Sequence, residues 1–123
     1  MTTDLTPGPF RTIDQMKAAN ARLGHHWFTP GAMRFFNSRA LSGVYAGRLF
    51  VSSEQYRSRH TGYRARLYTI RAVSDAGGVS TVGEFQQYST RRRAIAAARA
   101  MAENILAREV AEMDAAEVAA GAW

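Results

Sequence analysis

The chain has 123 residues, 46% of them hydrophobic, and a formal net charge of +6. That length supports one domain with a single core, burying about two-thirds of the unfolded surface, and the composition excludes a wholly disordered polymer. No apolar run approaches the ~20 residues that cross a bilayer, and the absence of cysteine excludes a disulfide framework, a thiolate zinc site and a cysteine nucleophile.

Residues 1–11 read as a flexible N-terminal arm, because Pro7, Gly8 and Pro9 block regular structure. The first ten residues carry neither a basic n-region nor an apolar h-region, so no secretory signal is expected and a cytoplasmic location follows. Thr12 and Gln15 form a capping-box pattern. Ile13, Met16, Asn20 and Leu23 then recur at near-helical spacing, and Gly24 follows as a C-cap, which predicts a first helix over 13–23. Thr29 as N-cap and Pro30 at the first helical position predict a short second helix. Its Met33, Phe35 and Phe36 are expected to enter the core rather than line a ligand pocket.

Strands begin near Arg39. The stretch 40–45, the pair Ala46 and Gly47, and the stretch 48–53 form one predicted hairpin, with Leu49 and Val51 alternating against Arg48 and Phe50. The segment 56–64 reads as a polar, basic, aromatic loop. A second hairpin runs over 66–74 and 79–88 around Asp75, Ala76, Gly77 and Gly78, whose glycines suit the positive φ angles of a tight turn. Gly83 inside the return strand suggests a bulge or a close approach by a helix. The last helix runs from about Thr90 to Met113, with Ile95, Ala98, Met101, Ala102, Ile105, Leu106 and Val110 on one apolar stripe. The order α-α-β-β-β-β-α implies an α+β fold: an antiparallel four-stranded sheet from two hairpins, with two short N-terminal helices and one long C-terminal helix packed on one face. The single domain is expected over 12–113, with an acidic, alanine-rich tail over 114–123 prone to fraying.

Charge is distributed unevenly. Residues 1–100 hold 15 Lys and Arg against five acids, a net of +10, whereas residues 101–123 hold Arg108 against five acids, a net of −4. All the cations but Lys17 are arginine, which grips phosphate and carboxylate bidentately as lysine cannot. A GC-rich genome, which raises Arg and Ala together, is the plain alternative for that ratio. A basic body favours phosphate, nucleic acid or acidic protein partners.

Two basic clusters stand out. Arg57, Arg59, Arg64 and Arg66, with His60, lie in or beside the 56–64 loop together with Tyr56 and Tyr63, the pairing of guanidinium for phosphate and ring for base that grips single strands. Arg91, Arg92 and Arg93 open the long helix, where the macrodipole disfavours cations and a bound anion would compensate. The seven arginines and two tyrosines are the candidate nucleic-acid or anion site; a solvated loop is the plain alternative. The helix-start arginines could instead pair with the acidic tail of a neighbouring chain, making the charge split a device for homo-oligomerisation. Sheet-face aromatics such as Tyr68 invite comparison with RNA-binding sheets, but no RNP1-like block is present.

Nothing points to catalysis. His25 and His26 are adjacent and would point apart, so surface or structural roles are expected and no metal site. Ser52 or Ser53, Glu54 and His60 can be drawn as a hydrolytic set, yet no nucleophile elbow supports it, and Glu54 or Glu84 is expected to pair with an arginine. Gly77 and Gly78 form a hairpin turn rather than a phosphate loop. No cofactor is implied.

The blocks GHHWFTPGAMRFFNSR (24–39), LFVSSEQ (49–55), LYTIR (67–71) and TVGEFQQY (81–88) resemble a family of short proteins encoded by bacteriophages and prophages. The resemblance covers roughly residues 15–100. It implies a mobile-element origin, an accessory role and residence in a bacterial host cell, and it carries no catalytic or ligand residues. The expected function is therefore a non-enzymatic accessory protein that binds nucleic acid or a nucleoprotein through an arginine-rich surface. The alternative is a protein-binding inhibitor of a host defence system, such as a restriction or CRISPR nuclease.

Overall fold

A computed structural model describes residues 5–57 and 64–121. Helix α1 spans Ile13–Arg22, a π-helical turn spans Ala32–Phe36, and strands β1 (Arg39–Ala40), β2 (Leu49–Arg57), β3 (Arg64–Val73) and β4 (Val79–Val82) precede helix α2 (Arg91–Gly121). The strands form one antiparallel sheet in the order β1-β2-β3-β4. The α+β class, the antiparallel four-stranded sheet, the N-terminal helices and the long C-terminal helix are as the sequence predicts.

Side chains alternate across a strand, and both faces of this sheet carry apolar residues. On one face Leu49, Val51, Ile70 and Ala72 pack against Ala94, Ala98 and Ile105 of α2. On the other, Phe50 and Val73 pack with Phe10 and with Met16 and Ala19 of α1, and Trp27 stacks on Phe50 at 4.9 Å between ring centroids. The helices therefore divide between the faces: the packing expected on one face belongs to α2, and α1 covers the end of the opposite face that Phe50 and Val73 make apolar.

Local signals explain most boundaries. Thr12 Oγ1 accepts from the Gln15 N–H at 3.2 Å, and Gln15 Oε1 accepts from the Arg11 N–H at 2.7 Å, so α1 opens with its caps satisfied. Asn20, a polar residue on the inward stripe of α1, is buried and donates from Nδ2 to the Gly77 carbonyl at 2.8 Å. This bond holds the end of α1 to the β3–β4 turn. Gly77 has φ +108, and a Cβ there would collide with the α1 backbone at Ala19 and Asn20, so only glycine fits.

Several expectations change. Residues 5–11 make contacts that a loose arm would lack: the Gly8 N–H donates to Ala46 O and the Phe10 N–H to Gly47 O, and Phe10 is buried. The organiser is Arg48, which is 7% exposed. It donates to Thr6 O at 2.7 Å, Pro7 O at 3.1 Å and Val73 O at 2.8 Å, and pairs with Asp75 at 2.6 Å. The segment 56–64 is not all loop, because β2 runs to Arg57 and β3 starts at Arg64. Strand β4 stops at Val82, since Gly83 takes φ +78 beside Gln87, and Tyr88 alone rejoins the sheet by bridging to Tyr68. Met33 and Phe35 are exposed and Phe36 is half-buried, so this cluster is a surface patch rather than core. Met16 and Trp27 pack over Phe50 instead. Helix α2 continues unbroken through 114–121, a stretch with no glycine or proline before Gly121.

Candidate functional site

The sequence-predicted site residues fall into three groups. Arg59 and Tyr63, with His60, lie outside the described residues. Tyr56 and Arg57 close β2, and Arg64 and Arg66 open β3, with Arg57 paired to Arg64 at the outermost rung. Arg91, Arg92 and Arg93 are exposed in the first turn of α2, where no acidic residue stands. Thr90 caps that turn, its Oγ1 accepting from the Arg93 N–H at 3.1 Å.

Backbone register relates the second and third groups. Tyr88 bridges to Tyr68, and α2 begins three residues later. From there α2 runs along the sheet toward the opposite end, where Ile105 joins the core and Arg108 donates to Leu5 O at 3.1 Å. The arginine-rich start of α2 thus lies near the Tyr68 rung, on the half of the sheet that leads to the β2–β3 tip. Two residues along β3 span roughly 7 Å, so Arg66 is one step further on the same face as Tyr68. Arg39 faces the same way from β1, opposite Ser53, and is exposed. Tyr56 belongs to the other face: it follows Ser52 and Glu54 in the alternation and stands opposite Ala65.

Arg66 is more structural than expected. Its Nε donates to Ser53 Oγ at 2.7 Å, and its Nη2 donates to Ser53 O at 2.7 Å and to Asn37 O at 2.9 Å. Burial, then the neighbouring Arg39 charge, pulls its pKa below the ordinary arginine value, while Glu54 and Tyr68 oppose the shift. Its bonds hold Asn37, which has φ 45 at the exit of the π turn, against β2. Arg39 takes its place as a presented cation. Alternation could have placed Arg39 on this face had β1 been registered against Ser53.

The acid of the catalytic alternative is engaged in internal bonds. Glu54 is fully buried and pairs with Arg71 at 3.0 Å, as expected of a sheet carboxylate beside arginine. Ser52 Oγ donates to Glu54 Oε1, and Thr69 Oγ1 donates to Oε2 at 3.0 Å. The Arg71 guanidinium also donates to Ser52 Oγ at 3.0 Å and Thr81 Oγ1 at 2.7 Å and lies 5.4 Å from the Phe85 ring centroid. This network ties the buried Glu54 carboxylate to Ser52, Thr69 and Arg71. His25 and His26 border an open cleft of ≈ 500 Å³ with Trp27, Thr29 and Arg71. Among the described residues no three metal-ligating side chains gather.

A family profile matches residues 12–99. The chain belongs to DUF7447, a family of unknown function. The match takes in α1, the whole sheet and the arginine-bearing start of α2, and stops before the acidic half of that helix. No curated protein and no solved structure matches the chain. Among the described residues no helix is long and apolar enough to cross a membrane.

Proposed function

We propose that this DUF7447 member is a non-enzymatic accessory protein of a phage or prophage that binds nucleic acid, alone or within a nucleoprotein, in the host cytoplasm. The observation that carries the reading is the run of three exposed arginines in the acid-free first turn of α2, adjoining the sheet face with Arg39, Arg66, Tyr68 and Tyr88. Among the described residues the ion pairs are Arg48–Asp75 and Arg71–Glu54, so the helix-start cations are not neutralised by those acids. Guanidinium forks beside a capped helix start suit phosphate oxygens. Tyr68 and Tyr88 pack partly against the core, so the reading rests on phosphate contacts.

The test is fluorescence anisotropy with labelled single-stranded DNA and RNA over a salt series. Affinity is expected to fall linearly on a log–log plot, each phosphate contact adding about 0.7 to the slope. Replacing Arg91, Arg92 and Arg93 together with alanine should therefore weaken binding and flatten the slope by up to about 2. Binding that ignores salt, or no binding to either polymer, overturns the proposal.

A second reading has its own observation. Met33, Phe35 and Phe85 are exposed, and Phe85 meets Phe36 edge-on at 5.1 Å, an apolar patch suited to a protein partner. It supports the alternative of an inhibitor docking on a host defence nuclease. A complex with a host protein that survives nuclease treatment and is lost with Phe35→Asp favours this reading over the first.

A further inference from the structure

We propose that two copies of this chain associate through an antiparallel pair of α2 helices, each setting Glu117 of its acidic C-terminal half beside Arg99 in the N-terminal half of the other. The surface involved is separate from the sheet face considered above. Helix α2 has 31 residues, about 46 Å at 1.5 Å per residue, and the last of its residues in the buried core is Ile105. Beyond that point Leu106, Val110 and Met113 are exposed at 46%, 57% and 61%.

These three belong to a longer seam. Arg99, Glu103, Leu106, Val110, Met113 and Glu117 recur at alternating intervals of four and three, the spacing of a coiled-coil contact line, and all six are exposed. The seam is turned roughly 100° around the helix from the core-facing Ala94, Ala98 and Ile105. It also avoids the side of α2 where Ile105, Arg108, Glu109 and Glu112 border the chain at Leu5, Thr6 and Pro7.

A second copy fits this line better than any other occupant, because the line is complementary to itself. Placing Leu106 of one copy opposite Val110 of the other, antiparallel, fixes every remaining layer. Val110 then meets Leu106, Met113 meets Glu103, and Glu117 meets Arg99. The two-fold axis yields an apolar centre flanked by two Arg99–Glu117 ion pairs, the isologous arrangement expected of a dimer. Ala100, Ala107 and Ala116 flank the seam and allow the helices to approach closely.

The acidic far end of α2 supplies a further reason. Three arginines and no acid occupy the first turn of α2, no base occupies its last turn, and Glu109, Glu112, Asp114 and Glu117 crowd its second half. Both trends oppose the helix macrodipole in an isolated helix. An antiparallel neighbour offsets the second trend, setting Arg99 beside the partner's acidic far half at Glu117. In this register Arg91, Arg92 and Arg93 lie past the end of the partner helix, so they stay open and the dimer stands or falls apart from the nucleic-acid reading.

The test is sedimentation of the full chain over a roughly hundredfold concentration range, with circular dichroism confirming that each variant folds. The expected result is a monomer–dimer equilibrium that Leu106→Lys or Val110→Lys weakens at least about tenfold. Arg99→Glu should weaken it too, and adding Glu117→Arg to that variant should restore it. Because the natural chain lacks cysteine, Glu103→Cys and Met113→Cys proteins can be mixed and oxidised, and the 103–113 cross-link should form. A monomer across the whole range, or cross-links joining 103 to 103 and 113 to 113, overturns the proposal; the former assigns the seam to a foreign partner and the latter to a parallel pair.

Discussion

Replacing Arg48 with methionine keeps most of the side-chain volume and removes every donor, which isolates the role of its hydrogen bonds. Three backbone carbonyls lose their partner. Val73 O lies in a buried bond, and a stranded buried acceptor costs about 1–3 kcal/mol. Thr6 O and Pro7 O sit in part-buried bonds and can recover water, so each contributes closer to about 1 kcal/mol. The ion pair adds little, since the Asp75 side chain is 75% exposed and such pairs are worth under about 1 kcal/mol. The expected loss for Arg48→Met is therefore about 3–5 kcal/mol, and for Asp75→Asn less than about 1 kcal/mol. Urea unfolding followed by circular dichroism measures both as midpoint shifts at constant slope. If Asp75→Asn cost as much as Arg48→Met, the ion pair rather than the carbonyl ties would hold the chain entry to the sheet, and the reasoning fails.

Gly77→Ala should destabilise by about 2–4 kcal/mol, since it meets both an unfavourable φ and the α1 backbone, whereas Gly78→Ala, which meets only Ser74 Oγ at 3.3 Å, should change stability by less than about 1 kcal/mol; paired thermal melts distinguish them. Glu54→Ala leaves the part-buried Arg71 uncompensated and should cost about 3–5 kcal/mol, and Glu54→Gln, which keeps an acceptor for Thr69, should cost less in the same urea assay. Replacing Arg91, Arg92 and Arg93 with alanine should weaken nucleic-acid binding yet raise the melting temperature, because each removed cation relieves about 0.3–1 kcal/mol of conflict with the helix dipole; a fall in both would show that these arginines support the fold instead.

Elements set by short-range chemistry were legible in the sequence. The Thr12–Gln15 cap, the Thr29–Pro30 helix start and the Asp75–Gly78 turn each depend on a few adjacent residues, and the alternation of Leu49 and Val51 with Phe50 marks β2 without reference to the rest of the chain. What was not legible depends on long-range partners. Arg48, Arg66 and Arg71 look like solvated cations in sequence, because nothing local reveals that carbonyls and carboxylates 13 to 42 residues away in the chain will surround them. Met33 and Phe35 look like core for the same reason: their apolar character is evident, but the prior occupancy of the Phe50 face by Met16 and Trp27 is not. In the candidate site, Arg91, Arg92 and Arg93 were found by their conflict with the helix dipole, a local argument. Arg39 was missed because β1 has two residues, too few to show alternation.

This division of the arginines changes what the net charge means. A charge of +10 on residues 1–100 suggests a uniformly basic body, yet three of its cations are internal ties: Arg48 to the entry of the chain, Arg66 to the π-turn exit and Arg71 to Glu54. Two of those ties are ion pairs, which cancel both buried charges together with Asp75 and Glu54. The external field is therefore set by the remaining presented side chains: Arg91, Arg92, Arg93 and Arg39 approach one end of the sheet, and Arg11, Lys17, Arg22, Arg34 and Arg99 are exposed elsewhere. Under the proposed reading, these cations would steer a polyanion toward that end of the molecule. Placing the acids on the far half of α2 sharpens the same gradient, since it removes competing positive potential from the opposite end.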